Sequence, residues 1–319
     1  METKINSKAL KAEALRLGFS ACGIAPAEPI DQAHQNALKM WLDANRQAGM
    51  TYMANHFDKR CDPALLVEGT RCVVSVALNY YPATRIPDEE YQFAWYAYGK
   101  DYHDLMREKL AALFRFIQES DVPELNGRMF CDTAPVPERY WAWRAGLGWI
   151  GKNTQLIIPH AGSTFFLGEL FLNAEADTYD RPQPNRCGRC NRCLQACPTK
   201  ALETPYSLNA HRCLSYLTIE NKSEIPDSIA PFMGNRVYGC DECQKACPWN
   251  RFATPCRTPE LQPSPEFMNM KKEDWKQLSE EKYRALFKGS AVKRAKYSGL
   301  IRNCLLYTSD AADDSLRVD

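Results

Sequence analysis

The chain has 319 residues, with 40 Lys and Arg against 39 Asp and Glu, a net charge of +1, and 14 Cys. This length predicts two or three domains, and a chain this long can bury a core without the disulfide scaffold of small secreted proteins. The near-zero charge excludes polyanion binding through the overall field, and no stretch approaches the ~20 apolar residues that span a bilayer.

Helical and extended patterns alternate in the first half of the chain. The predicted elements are, in order, a helix at 6–18, strands at 19–27 and 71–81, a helix at 102–119, and strands at 129–133 and 164–172. The strand at 71–81 is a continuous β-branched run, which indicates burial on both faces. This alternation predicts an α/β or α+β domain up to about residue 175.

Residues 131–157 are the most distinctive part of this domain. Asp132 ends a predicted strand, and a proline-shaped turn leads to a helix that can begin near Pro137. Aromatics at helical spacing usually form core, but the glycines and the nearby charges favour a pocket for a large cofactor with amide or phosphate groups. The residues concerned are Tyr140, Trp141, Trp143 and Trp149, with Gly146, Gly148 and Gly151, beside Arg139, Arg144 and Lys152.

Eight cysteines lie in two blocks that each end in Cys-Pro. The first block has the spacing of a bacterial two-cluster ferredoxin, in which three close thiolates bind one 4Fe-4S cluster and the fourth binds the other. The predicted sets are Cys187, Cys190, Cys193 and Cys247 for one cluster, and Cys213, Cys240, Cys243 and Cys197 for the second. Structural zinc is the alternative, although it usually takes two Cys pairs separated by a loop.

The other cysteines and the N-terminus indicate a reducing compartment. We expect Cys22, Cys61, Cys72, Cys131, Cys256 and Cys304 to be buried or free thiols. The N-terminus has neither the apolar core of a signal peptide nor a twin-arginine signal. The sequence therefore predicts a cytoplasmic protein without a membrane segment.

Polar, proline-bearing segments predict domain boundaries near residues 177 and 259. Residues 271–302 hold ten basic and four acidic residues, a pattern typical of either a solvated helix face or a nucleic-acid site. The tail is acidic and lacks apolar periodicity, as in a disordered end or a spurious fusion of reading frame. The predicted regions are 1–176, a catalytic domain; 177–258, a ferredoxin-like domain; 259–303, a helical basic region; and 304–319, the tail.

Several segments together resemble the epoxyqueuosine reductase family. DTAPVPERYWAWRAGLGWIGKN at 132–153, YGKDYH at 98–103 and both cysteine blocks carry the resemblance, which extends to about residue 303. It implies an α+β fold with a nitroreductase-like cobalamin-binding domain, a ferredoxin-like module and a short helical region that helps to hold tRNA. The implied reaction reduces epoxyqueuosine to queuosine at the tRNA wobble position, using base-off cobalamin supplied with electrons by two 4Fe-4S clusters.

The resemblance also implies roles for particular residues. Asp132 matches the proton donor to the opening epoxide, which requires its pKa to rise from about 3.9, for instance through burial. Candidate contacts to cobalamin or substrate are Tyr98, Gly99, Asp101, Tyr102, Arg139, Lys152 and Asn153. Asp101-x-His103 begins a motif by which some B12 enzymes ligate cobalt, but Met106 replaces its glycine, so we expect a pocket or structural role for His103.

The implied partners are tRNAs with G-U-N anticodons and an external low-potential electron donor, and we expect a monomer. Two other functions fit parts of the sequence. A reductive dehalogenase also couples base-off cobalamin to two clusters, but those enzymes typically carry a twin-arginine leader. A non-catalytic electron-transfer protein would use the first domain for docking, and it would purify without a corrinoid.

Overall fold

The computed structural model describes residues 3–313, which form short strands and many helices. The strands are β1 (Ala21–Pro26), β2 (Cys72–Asn79), β3 (Gln92–Phe93), β4 (Gly127–Phe130), β5 (Trp149–Ile150), β6 (Leu156–Ile157), β7 (Phe165–Leu172) and β8 (Arg236–Tyr238). The α-helices are α1 (Ser7–Arg16), α2 (Gln32–Asp43), α3 (Phe57–Cys61), α4 (Pro63–Leu66), α5 (Tyr102–Ser120), α6 (Glu138–Arg144), α7 (Arg192–Ala196), α8 (Leu214–Ile219), α9 (Glu242–Lys245), α10 (Pro265–Asn269), α11 (Lys272–Lys276), α12 (Glu280–Leu286) and α13 (Lys296–Asp313). Short 3-10 turns lie at Thr51–Met53, Trp95–Ala97, Ala210–Arg212, Ala230–Phe232, Pro248–Phe252, Pro259–Leu261 and Ala291–Ala295.

A four-stranded antiparallel sheet of order β1–β2–β7–β4 organises the first half of the chain. Strand β2 is buried along its length except at Asn79, as its continuous apolar run predicts for a central strand. Its register with β7 places Ser75 opposite Glu169, so one polar pair lies in the middle of an apolar sheet. The antiparallel pairing confirms an α+β fold and rules out α/β for this domain.

Helices cover both faces of this sheet. On one face, α1 and α5 pack against alternate residues of β2 such as Val74 and Val76, and on the other face α6 packs against Val73 and Ala77. The buried residues of α5 recur at the helical spacing that the sequence shows: they are Met106, Leu110, Leu113 and Ile117. The sheet and α5 therefore fix where the first turn of that helix and the end of β4 lie.

A second core joins distant parts of the chain. Strands β3 and β8 pair in parallel, which connects residues 92–93 to residues 236–238. Trp275 and Phe287 from the C-terminal helices pack with Phe93 against this pair. The sequence-predicted divisions at residues 177 and 259 therefore cross a single hydrophobic core.

The C-terminal tail differs from its expectation in the part that the structure describes. Helix α13 continues from Lys296 to Asp313, so residues 304–313 are helical and not disordered. The physical reason is packing at its start: Cys304 is fully buried, and its carbonyl accepts a 2.7 Å hydrogen bond from the Tyr91 hydroxyl. The remainder of the predicted tail, 314–319, lies outside the described residues. Among residues 3–313, no helix has the length and apolar character needed to cross a bilayer.

Candidate functional site

The eight block cysteines fall into two sets by the charge interactions among their thiols. Desolvation is the main cause of the raised pKa of Cys193, and the thiols of Cys247, Cys187 and Cys190 add to it. Desolvation is also the main cause of the raised pKa of Cys243, and the thiols of Cys240, Cys213 and Cys197 add to it. Within residues 3–313, no group of three or more His, Cys, Asp or Glu side chains is arranged to hold a single metal ion. The assignment of cluster ligands to these two sets stays a prediction.

The chemistry of the donors suits iron-sulfur clusters. Each cysteine in residues 3–313 is free of disulfides. Backbone N–H groups of Ser215 and Tyr216 donate to Cys213, and those of Trp249 and Asn250 donate to Cys247; both contacts lower thiol pKa against the desolvation that raises it. Such N–H···S bonds stabilise thiolate ligands and help to set cluster potentials. Two groups of four thiolates with this support fit two 4Fe-4S clusters.

Lys152 and Asn153 connect the first domain to both cysteine loops. The Lys152 ammonium donates to the carbonyl oxygens of Gly188 and Cys190, both at 2.8 Å. The buried Asn153 amide donates to the carbonyl of Cys243 at 3.3 Å. One dipeptide therefore contacts a loop from each predicted cluster.

Asp132 lies just after β4, facing the first turn of α5. The Tyr102 hydroxyl donates a 2.7 Å hydrogen bond to its Oδ2, and His103 Nε2 lies 3.5 Å from the same oxygen. On its other side, His103 Nδ1 contacts Asp101 Oδ1 at 2.6 Å, and Asp101 also caps α5 by accepting from the His103 backbone. The helix start therefore holds the imidazole between two carboxylates.

The charges of this group differ from the sequence-based expectation. The two carboxylates, Asp101 first and then Asp132, raise the pKa of His103 to about 9. The hydrogen bond from His103 is the main reason that the pKa of Asp132 is lowered from its ordinary value, and the Tyr102 hydroxyl adds to this effect. The expected rise for Asp132 is therefore wrong in this structure, because the hydrogen bond with the cationic His103 outweighs the desolvation that would raise its pKa.

A second acid contacts the Asp132 loop. The side chain of Glu138, at the start of α6, accepts a hydrogen bond from the Asp132 backbone N–H. Desolvation, and next the Asp132 charge, raise the pKa of Glu138. The adjacent Arg139 donates to the Thr154 carbonyl at 2.7 Å, which connects α6 to the segment that contains Lys152.

Tyr52 and Arg294 belong to the surroundings of Asp132. Desolvation is the main cause of the raised pKa of Tyr52, and the Glu220 hydrogen bond is the main cause for Arg294; the Asp132 charge adds to both. Arg294 forms a two-point ion pair with Glu220, at 2.7 and 2.8 Å.

Some predicted pocket residues have packing roles instead. Tyr140, Trp141 and Trp149 are at most 4% exposed and belong to the core, so they do not form a cofactor wall. The glycines among them allow close approach of other backbone: a Cβ on Gly148 would lie 2.1 Å from the Ile157 carbonyl oxygen. The usual core role of helically spaced aromatics therefore holds here.

Tyr98 and Gly99 also pack against protein. Tyr98 is buried against Phe267, and a Cβ on Gly99 would lie 2.4 Å from the Leu261 backbone. Both border a groove of about 400 Å³ between this segment and the C-terminal helices, which also includes Lys288. Their packing accounts for both residue types without a cofactor.

Comparisons with known proteins identify the family. Residues 60–133 match the family described as "Epoxyqueuosine reductase QueG, DUF1730", and residues 186–250 match a 4Fe-4S double cluster binding domain. The epoxyqueuosine reductase of Leadbetterella byssophila is 46% identical over 297 residues, which cover 93% of this chain and 96% of that protein. The chain belongs to the epoxyqueuosine reductase family.

Two solved epoxyqueuosine reductases have the same overall fold. One is a crystal structure with an epoxyqueuosine-modified tRNA-Tyr stem loop, 31% identical with a TM-score of 0.87. The other, from Bacillus subtilis, has its catalytic aspartate loop swung out of the active site and is 30% identical with a TM-score of 0.87. Both comparisons cover 97% of this chain and 82% of the other.

The sequence did not predict several of the residues that surround Asp132. Glu138 stands six positions after Asp132, across a turn with two prolines. That spacing could have indicated that the Glu138 side chain reaches back to Asp132. Tyr52 and Arg294 are far from Asp132 in sequence, and no sequence motif indicates that they lie near it. His103 was expected in a pocket or structural role, and the structure places it beside Asp132.

Proposed function

We propose that this chain reduces the epoxide of epoxyqueuosine, at the wobble position of a tRNA anticodon, to the cyclopentene of queuosine. Family membership supports the reaction, and the relative bound to a modified stem loop supports tRNA as the substrate. The observation that carries the proposal is the continuity of residues 131–154, which bear Asp132 at one end and contact both cysteine loops at the other.

We further infer two 4Fe-4S clusters on the two cysteine groups and base-off cobalamin in the cleft. When bound, cobalamin would supply a low-valent cobalt that is a strong nucleophile and reductant toward an epoxide. Tyr102, Arg139, Lys152 and Asn153 would hold the corrinoid. Tyr102 contacts Asp132, Arg139 contacts the Thr154 carbonyl, and Lys152 and Asn153 contact the cysteine loops. This assignment corresponds to a nitroreductase-like B12 domain built on the central sheet.

The contacts of residues 152–153 support a short route for electrons. Lys152 donates to the loop of one cysteine group, and Asn153 donates to the loop of the other. An ammonium beside a cluster favours the reduced, more negative state of that cluster. Lys152 therefore fixes the loop, and its charge would raise the potential of a cluster bound there.

The group around Asp132 can hold the proton that the reaction needs. Removing the epoxide oxygen as water breaks two C–O bonds and consumes two electrons and two protons. Below pH about 9 the His103 ring carries a proton, and its Nε2 lies 3.5 Å from Asp132 Oδ2. Asp132 then delivers a proton that it receives from His103, while Asp101 keeps the imidazole in place.

A basic cluster formed by Lys222, Arg294, Lys296 and Arg302 suits the phosphates of an anticodon stem loop. Desolvation is the main cause that lowers the pKa of Lys222; the Glu220 charge opposes it, and the charges of Arg294, Lys296 and Arg302 add to the lowering. Lys296 is exposed and has φ 61 and ψ 167, a backbone conformation that non-glycine residues adopt only where the surrounding structure imposes it. Cations held together against their mutual repulsion are expected to bind a polyanion.

The direct test is anaerobic reconstitution with iron, sulfide and cobalamin, followed by incubation with epoxyqueuosine-bearing tRNA and a strong reductant. Mass analysis of the nucleosides should show queuosine, one oxygen lighter than the substrate. The same enzyme without cobalamin, and the Asp132→Asn variant, are the matched controls. A fully loaded enzyme that leaves epoxyqueuosine intact would refute the proposal.

The remaining expectations follow from this reaction. We expect the substrate to be a tRNA with a G-U-N anticodon and the enzyme to act in the cytoplasm. We also expect a monomer whose clusters are reduced by an external low-potential donor. The dehalogenase alternative predicts halide release from an organohalide. The electron-carrier alternative predicts purification without a corrinoid and no response to tRNA. The proposed function predicts none of these three outcomes.

A further inference from the structure

The backbone of Asp132 has an unusual conformation. Its φ is +59°, in the left-handed region that few residues other than glycine adopt, although aspartate tolerates it better than most. This conformation turns the carboxylate toward Tyr102 and His103. Something in the structure must keep the loop in this state, because an extended backbone at this residue would aim the side chain elsewhere.

Glu138 is placed to provide that constraint. Its side chain accepts the Asp132 backbone N–H, which otherwise lacks the regular partner that a strand or helix provides. Glu138 is the first residue of α6, whose next residues Tyr140 and Trp141 are buried in the core. The acceptor is therefore anchored to the rigid part of the domain, while the loop that it contacts is exposed.

We propose that Glu138 is a positioning residue that latches the Asp132 loop in its inward conformation through the Asp132 amide. The inference rests on the proposed role of Asp132 as proton donor. The B. subtilis relative with its aspartate loop swung out shows that such a loop has a second position in that enzyme. In this chain, the latch makes the inward position the stable one.

The charges around Glu138 explain how a second acid is tolerated next to Asp132. Desolvation and the Asp132 carboxylate raise its pKa, while the Asp132 N–H, Arg139 and His103 oppose the rise. Glu169, on β7, is fully buried, and desolvation followed by the Glu138 charge raises its own pKa. A neutral Glu138 accepts the amide through its carbonyl oxygen and adds no negative charge beside Asp132. Glutamine at position 138 should therefore still accept the Asp132 N–H, whereas alanine cannot.

The test compares Glu138→Ala and Glu138→Gln with Glu108→Ala, a control at an exposed glutamate of α5. Hydrogen–deuterium exchange of the peptide containing residues 131–137 is measured on the reconstituted enzyme, together with kcat and KM for modified tRNA. In the alanine variant, we expect the Asp132 amide to exchange about tenfold faster, as for loss of one hydrogen bond, and kcat to fall at least as much with KM unchanged. The glutamine and control variants should stay within about threefold of the parent.

Three results would overturn the latch. The alanine variant could exchange and react like the parent, or the glutamine variant could exchange as fast as the alanine variant. The glutamine variant could also keep its amide protection yet react as slowly as the alanine variant, which would assign Glu138 to proton transfer. Failure of the underlying function is distinguishable, because Asp132→Asn would then keep full turnover while Glu138→Ala still exchanged faster.

Discussion

The protonation of His103 gives the sharpest test of the proposed proton path. The ring lies between the carboxylates of Asp101 and Asp132, and its side chain is 24% exposed. A rise in its pKa from 6.5 to about 9 corresponds to ~3 kcal/mol of extra interaction with the protonated ring, at about 1.36 kcal/mol for each pKa unit. Because the folded pKa is the higher one, this stabilisation is fully present below pH 6.5 and is lost as pH rises through about 9.

The chain has five histidines, so ¹³Cε1-histidine labelling gives a spectrum simple enough to titrate each ring. The His103 signal is assigned by its loss in His103→Gln. We expect it to titrate near pH 9 in the parent. A charge-assisted hydrogen bond contributes about 1.5 to 3 kcal/mol, or roughly 1 to 2 pKa units, so Asp101→Asn should lower the pKa by about that amount.

Asp132→Asn should lower the same pKa by a smaller amount, because its contact is longer and is the second cause of the rise. Turnover of the parent should fall as pH rises through about 9, and this fall should be absent in His103→Gln. A His103 signal that titrates near 6.5, or that ignores Asp132→Asn, would refute the proton path.

Four further results are expected. Asp132→Asn should lower turnover by about 10²- to 10⁴-fold, as for loss of a general acid, with iron content unchanged; normal turnover would remove it from the mechanism. Lys152→Met should lower the midpoint potential of one cluster in an EPR-monitored titration, whereas Lys39→Met, an exposed control, should not. Lys296→Met should weaken tRNA binding and reduce its salt slope by about 1, and an unchanged slope would exclude a phosphate contact. Glu169→Gln should change Tm by less than about 3 °C, because burial raises the pKa of this carboxyl and so favours its neutral form; a larger loss would indicate an ionised group.

The sequence predicted elements that have a strong apolar period. The apolar stripe of α5 and the apolar run of β2 correctly predicted a helix and a strand, because the spacing of apolar residues reflects which side chains are buried. In contrast, α2 (Gln32–Asp43) was not predicted, and none of its residues is buried in the structure. The parallel pairing of residues 92–93 with 236–238 joins segments more than 140 positions apart, and local pattern contains no information about such a register.

The cysteine sets were predicted for a different reason. Cluster geometry dictates ligand spacing, so the two blocks predict the members of each set, and this assignment stays a prediction. The direction of the Asp132 pKa shift was not predictable from sequence, because it depends on the contact with His103. Sequence reasoning treated His103 and Asp132 separately, and only the packing of α5 beside β4 brings them within 3.5 Å.

The order of residues along 131–154 has a mechanistic consequence. Asp132, the Glu138 carboxyl that accepts its amide, and the Lys152–Asn153 pair at the cysteine loops belong to one short stretch of chain. Arg139 fastens the middle of the stretch to its end through the Thr154 carbonyl. The position of the proposed proton donor is thereby fixed relative to the proposed entry point of electrons. Since opening an epoxide requires both at one carbon–oxygen bond, a change that lengthens this stretch should impair turnover even when both cysteine groups and Asp132 are intact.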